Sequence, residues 1–398
     1  MADPNDGDLS PEEILRRAEE AFDKGHQLFE AGHLPEAAIA FMKALEFSQQ
    51  VEGAQLQQAS CLNNAGIALR DVGRYEGALT AFQQALSLYR TLPGTQNNQA
   101  VCLVNTGNIL SGMGQNEEAL TSYQDALALY RVLPGTQHQQ AGCLNNIGLS
   151  LGKTSRYEDA LTAYRDALTL YRTLPGTQEN QAKCLFSTGV TLREVGRYEE
   201  ALTSYQQATR LYQQVDGAQE DQAKCVVNTG IALREVGRYE ESLAAFQQAA
   251  DFLRTLPGTQ RQQVACLLNT GIIQEEVGRY EKALTSCRQA LTPAIISALE
   301  SNAARFQFPT EHDRLTWLTE IAEPSLDLAL SLASINDQPA LASDLIATFR
   351  TGGSIDITRL ATQNRITDPG QSILSLTTSF EDSTPPTAPT PTGLALTA

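Results

Sequence analysis

The sequence is short of aromatic side chains, of positive charge and of uninterrupted apolar runs. Aromatic residues make up 6% of the 398 positions and Trp occurs once, so any core must be filled by small and medium aliphatic groups. Such cores demand close helix packing, and Ala has the highest intrinsic helix propensity. Lys and Arg number 29 against 46 Asp and Glu, a formal net charge of -17. That balance repels a phosphate backbone and excludes general nucleic-acid binding. No apolar stretch is long enough to span a bilayer, and Met1 to Ser10 is acidic and polar where a secretory signal has a basic start and an apolar run. The reading is a soluble, cytoplasmic protein with no membrane partner.

Signatures of site chemistry are missing as well. No Cys-x-x-Cys occurs, and the four histidines (His26, His33, His138, His312) do not share the spacing of the cysteines. No Gly-rich phosphate loop follows a strand, and no His recurs beside a repeated nucleophile. The sequence therefore predicts no enzyme activity, no catalytic residue, no metal and no cofactor.

What is present is a repeat. Gly25, Gly66, Gly107, Gly148, Gly189, Gly230 and Gly271 are spaced by 41 residues throughout. Cys61, Cys102, Cys143, Cys184, Cys225 and Cys266 keep the same step, as do the glycines Gly53, Gly94, Gly135, Gly176, Gly217 and Gly258 of the Leu-Pro-Gly-Thr-like connections. Within one unit Cys143, Leu144, Ile147 and Leu151 fall at helical spacing, and a second apolar stripe runs through Ala160, Leu161, Tyr164, Ala167 and Leu168. Short breaks such as Gly73-Arg74-Tyr75 separate the two stripes, and the Pro-Gly pair ends the second, since Pro cannot continue a helix and Gly accepts the left-handed cap. Seven helix-turn-helix units follow. Cysteines on neighbouring first helices, roughly 8–10 Å apart, are too distant for disulfides and read as small buried packing groups.

Internal spacing resembles the tetratricopeptide repeat (TPR): Leu62, Ala65-Gly66, Leu69, Ala78, Phe82 and Ala85, and again Leu103, Gly107, Leu110, Ala119, Tyr123 and Ala126. The usual Trp position holds Leu or Val, Ser242 stands for Ala, and Cys287 stands for the second-helix aromatic of the last unit. The longer period is similar to the long-helix subclass of kinesin light chains. The resemblance implies an all-α, right-handed α-solenoid over residues 11–295, with first helices lining a concave face that binds partners.

Two positions before the repeat glycine stand Asn64, Asn105, Asn146, Ser187, Asn228 and Asn269. A carboxamide both donates and accepts, so such a ladder could hold an extended peptide by its backbone, as in long-helix TPR scaffolds. Duplication or local hydrogen bonding explains the same pattern without a ligand. Arg70, Arg193, Arg234, Lys183 and Lys224 add positive charge at expected inner positions and suggest an acidic partner segment; Glu194, Glu235, Glu275 and Glu276 beside them offer local pairing instead.

Beyond the repeats, residues 296–353 read as a helical cap or linker, 354–367 as a connection, and 368–398 as a disordered Pro/Ser/Thr-rich tail, matching the disorder expected of 1–10. Phe306-Gln307-Phe308-Pro309-Thr310-Glu311 and Leu345-Ile346-Ala347-Thr348-Phe349-Arg350 loosely resemble the segment joining TPR arrays to bacterial CHAT peptidase domains. Two functions follow: a non-enzymatic protein-interaction scaffold with a peptide-binding groove, or the recognition arm of a TPR and CHAT peptidase system without its own catalytic domain.

Overall fold

In a computed structural model, the structure describes residues 10–289 apart from 258, 280, 284, 287 and 288. The expected cap, connection and tail at 296–398 lie outside the described residues, as do 1–9. The described residues form thirteen α-helices: α1 (Pro11–Glu30), α2 (Leu34–Ser48), α3 (Gln55–Asp71), α4 (Tyr75–Thr91), α5 (Gln96–Gly112), α6 (Asn116–Val132), α7 (Gln137–Lys153), α8 (Tyr157–Arg172), α9 (Gln178–Glu194), α10 (Tyr198–Tyr212), α11 (Gln219–Glu235), α12 (Tyr239–Arg254) and α13 (Gln260–Glu276). They divide into one compact unit ending at Thr177 and another starting at Gln178. In the first unit α1 to α8 pack as four successive pairs, with α2, α4 and α6 each leaning on the next first helix. The second unit repeats the scheme with α9–α10 and α11–α12, and α13 opens a further pair. The helix-turn-helix reading of the sequence holds through these residues.

Each pair is locked by its repeat glycine. A Cβ placed on Gly148 would lie 2.5 Å from Tyr164 Cε1, and one on Gly107 would lie 2.6 Å from Tyr123 Cε1. Bare backbone at these points lets the second-helix aromatic lie directly on the first helix. Tyr164, Tyr205, Phe41, Phe82 and Phe246 are consequently among the largest fully buried side chains. Alanines at the neighbouring core positions, such as Ala78, Ala119 and Ala160, are buried completely, which explains how so few aromatics suffice. Ser242 departs from this series at no polar cost: fully buried, its hydroxyl donates to the Gly230 carbonyl at 2.5 Å.

Turns within a pair close by a left-handed residue. In α3 the Arg74 N–H reaches back to Leu69 O at 2.8 Å and the Gly73 N–H to Arg70 O at 2.9 Å, the two-bond helix ending that satisfies orphan carbonyls. Glycine takes the left-handed position in the other described units, but Ser155 takes it in the α7–α8 turn, at φ 60°. An L-residue there costs roughly 1–2 kcal/mol. Ser155→Gly is expected to raise stability by about 0.5–1 kcal/mol after the entropy of the added glycine is counted, read as a higher urea midpoint.

Turns between pairs are held differently. Thr136 Oγ1 donates to Tyr130 O at 2.6 Å, and Gln140 Nε2 donates to the same carbonyl at 3.1 Å. The Thr95 and Gln99 pair on Tyr89 O, and the Thr259 and Gln263 pair on Leu253 O, repeat it. Where the connection carries Ala instead of Thr, the Gln bond persists alone, from Gln58 to Ser48 O at 2.9 Å and from Gln222 to Tyr212 O at 3.1 Å.

Candidate functional site

The ladder positions two before each repeat glycine lie on the first helices, and their amides are engaged locally to different extents. Asn is a poor mid-helix residue because its amide competes with the backbone. Here that competition is turned inward. Nδ2 of Asn64 donates to Ser60 O at 2.9 Å, Asn228 to Lys224 O at 3.0 Å and Asn269 to Ala265 O at 2.8 Å. Only the NH2 group can donate to a carbonyl, so the orientation of these amides is fixed chemically. Asn105 and Asn228 are largely buried, 5% and 6% exposed, and their Oδ1 atoms accept from Arg70 Nη1 at 3.0 Å and Arg193 Nη1 at 3.1 Å. Asn146 is half-buried and donates at 3.3 Å to Asn108 Oδ1, which also accepts from Tyr123 OH at 2.9 Å. Ser187 holds the corresponding, half-buried place in α9.

The ladder is therefore two kinds of residue in one register. Asn105 and Asn228 fasten one repeat to the previous one through an Arg. Asn64, Asn146 and Asn269 keep an Oδ1 that meets no donor among the described residues.

The cations expected at inner positions are paired within their own helices. Arg70 Nε meets Asp71 at 2.7 Å, Arg193 meets Glu194 at 3.0 Å and Arg234 meets Glu235 at 2.7 Å. Lys183 meets Glu179 at 2.6 Å, and Lys224 meets Glu220 at 3.3 Å and Asp221 at 3.2 Å. Burial lowers the Lys224 pKa, but Asp221 and Glu220 outweigh it and the net shift is upward. Arg234 differs from its register mates: largely buried, its Nη1 finds no acceptor among the described residues, where Arg70 and Arg193 bond the next Asn. In the first unit Leu149, three residues after Asn146 on α7, is 40% exposed.

Glu275 and Glu276 end α13. Burial, then the charge of Glu276, raises the Glu275 pKa above 4.5, and burial raises Glu276 despite Arg234. A carboxyl whose folded pKa lies above its unfolded value contributes stability below the unfolded pKa and loses it as pH rises through the folded one. Glu275→Gln is accordingly expected to stabilise the chain at neutral pH and to flatten stability between pH 4.5 and neutrality, measured by urea unfolding at stepped pH.

The six described cysteines are buried and form no disulfide among the described residues, and burial pushes the thiol pKa of Cys102, Cys143, Cys184 and the others up to about 12. Thiolate, the reactive form, is thereby suppressed. These six are expected to resist alkylation in the native chain and to react together once it is unfolded, as counted by mass spectrometry. Among the described residues no group of three His, Cys, Asp or Glu is placed to hold a metal, and no helix is long and apolar enough to cross a membrane.

A family model described as tetratricopeptide repeat matches residues 16–91, 62–131, 98–173, 139–214 and 225–292, and a second of the same description matches 186–258. The chain belongs to the tetratricopeptide repeat family. Among solved structures, the apo form of RapI is similar at 17% identity and TM-score 0.52, covering 69% of this chain and 96% of that one. A TPR protein from Parabacteroides merdae aligns at 18% identity and TM-score 0.49, over 69% and 92% of the two chains. BtubC from P. vanneervenii aligns at 17% and 0.47, over 62% and 91%. At these identities the likeness concerns the fold. No curated protein matches the chain.

Of the site residues expected from sequence, the TPR geometry places Asn64, Asn146, Ser187 and Asn269 half-buried on first helices and draws Asn105 and Asn228 into the packing between repeats. Sequence reasoning missed the Thr and Gln pair that clasps the end of a second helix. Its signal was a Thr after the Pro-Gly turn and a Gln four residues later, recurring at the 41-residue step.

Proposed function

We propose that this TPR chain is a protein-interaction scaffold whose first-helix face receives an extended segment of a partner protein. The observation that carries the reading lies within the first unit: the half-buried ladder amides of Asn64 and Asn146, each with an acceptor oxygen left over, and the exposed side chain of Leu149 three residues after Asn146. A strand-like segment supplies N–H donors at its backbone and side chains for the apolar surface. The acidic segment suggested by Arg70, Arg193, Arg234, Lys183 and Lys224 draws no support from the geometry, because a carboxylate already stands against each of them. No specific observation favours the peptidase-arm alternative, whose motifs lie outside the described residues.

A photo-crosslinking residue in place of Leu149 tests the reading against one in place of Gln124, exposed on α6. Partner adducts from position 149 and none from 124 are expected. Adducts from 124 alone would move the site to the second helices.

A further inference from the structure

We propose that the outer face of α2 is a docking surface for a second copy of this chain, which seats its own α2 there antiparallel, about a twofold axis passing beside Ile39. The residues concerned all lie in the first unit, and the surface is independent of what the first helices bind.

The repeats themselves single out this helix. α2 packs on α1 and α3 and turns a third side outward, along which Pro35, Glu36, Ile39, Met42 and Lys43 are exposed. Ile39 is 69% exposed and Met42 41%. At the register of Ile39 the helices α4, α6, α8, α10 and α12 carry Thr four times and Ala once, and at that of Met42 they carry Gln four times and Arg once. The fold of a unit therefore has no need of an apolar group at either place. Singly exposed apolar side chains are ordinary, but two on one stripe, where the sister helices hold small or polar residues, mark a contact surface.

Charge chooses the occupant. Glu36 and Lys43 stand on the same flank of the stripe, two turns and hence about 10 Å apart along the axis, too far to pair with each other. Neither meets an opposite charge among the described residues; Lys43 Nζ lies only near the Phe47 ring, 5.7 Å from its centroid. A twofold axis midway between them sets Ile39 against Ile39 of the second copy, Met42 beside the partner's Pro35, and Lys43 against the partner's Glu36, twice over. The same two register positions hold Glu118 and Asp125 in α6 and Asp159 and Asp166 in α8, where a second copy would meet like charges. In α4, α10 and α12 the Lys43 position holds Gln, so no ion pair forms there. Of these second helices α2 alone is self-complementary, as an interface between identical patches requires. Two apolar groups and two ion pairs cover less than a standard interface of ~1,600 Å². The formal charge of -17 also opposes the approach of like chains. The dimer is accordingly weak, dissociating at about 10–100 μM.

The test is analytical ultracentrifugation of the full-length chain over a concentration series reaching about 1 mM, well above that dissociation constant. A monomer–dimer equilibrium is expected. Ile39→Thr combined with Met42→Gln, the residues of the sister helices, should weaken it at least about tenfold. Helicity and the urea midpoint should hold, since both side chains are exposed. Lys43→Glu and Glu36→Lys should each dimerise about tenfold less tightly than the parent chain, because each brings like charges together. An equimolar mixture of the two variants should recover the parent affinity, since the mixed pair sets two carboxylates against two ammonium groups, and the double variant carrying both changes should also behave as the parent. A chain that stays monomeric throughout the series would overturn the proposal. A dimer indifferent to the Ile39 and Met42 substitutions would place the interface elsewhere and overturn it equally. Loss of affinity in both charge variants with no recovery on mixing would overturn the antiparallel twofold pairing.

Discussion

Replacing Gly148 with Ala is expected to destabilise the chain by about 2–3 kcal/mol, the upper part of the range of about 1–3 kcal/mol for forcing extra volume into a packed core. The added methyl would fall 2.5 Å from Cε1 and 2.7 Å from Cδ1 of Tyr164. Tyr164 is fully buried, so its ring has no free space into which to rotate. Gly142, in the same helix, is the matched control. A Cβ there meets only the Tyr171 hydroxyl, at an ordinary 3.6 Å, and Gly142→Ala should stabilise by roughly 0.5–1 kcal/mol through helix propensity. Urea unfolding followed by circular dichroism separates the two. Opposite signs are expected, and equal effects would mean that helix propensity, with no interlock, governs both sites.

Asn228→Ala is expected to cost about 1–3 kcal/mol, because it leaves a buried guanidinium donor without its acceptor. Asn228 holds Arg193 Nη1 at 3.1 Å and its own helix at 3.0 Å. Asn64→Ala removes only a bond to the Ser60 carbonyl, on a half-buried surface, and regains helix propensity of roughly half a kcal/mol. It should be near neutral in stability. The same pair therefore divides structural from surface members of the ladder, and loss of stability in both variants by equal amounts would show that the division is wrong. Binding experiments on this chain are better built on Asn64, Asn146 and Leu149 than on Asn105 or Asn228, whose removal perturbs the packing between repeats.

Much of this fold is legible because each unit copies the last. The glycine at every forty-first position and the aromatic sixteen residues later mark a close helix crossing in the sequence itself. Buried cysteines are legible for the same reason, since a small residue held in strict register on an apolar stripe faces the core. The fate of the Asn ladder is not. Its partners are main-chain carbonyls four residues back, which any sequence supplies, and Arg side chains one repeat away, whose reach depends on how first helices lie against each other. Asn105 and Asn228 each have an Arg thirty-five residues earlier, Arg70 and Arg193, and both bonds form. Asn64 and Asn146 have none at that offset, where Phe29 and Ser111 stand. Asn269 does have one, Arg234, yet its Oδ1 meets no donor there, so the offset permits the bond without dictating it.

The pairing of these Arg and Lys side chains was half legible. Lys183 with Glu179 and Lys224 with Glu220 stand at the helical i,i+4 spacing that predicts contact. Arg70 with Asp71, and the equivalent pairs at 193 and 234, are adjacent residues that do not ordinarily face each other on a helix. They meet because the guanidinium is long enough to fold back, and in Arg70 and Arg193 another nitrogen still spans to the next repeat. Similarly, nothing in composition marks Ser155 as the left-handed residue; only its register with the turn glycines of the other units does so.

The most direct measurement is hydrogen–deuterium exchange of the full chain with and without a saturating pool of extended peptides. Slowed exchange concentrated in α3, α5 and α7, with α4, α6 and α8 unchanged, is the result that a first-helix binding face predicts. Protection confined to the second helices, or none at saturating peptide, would contradict it.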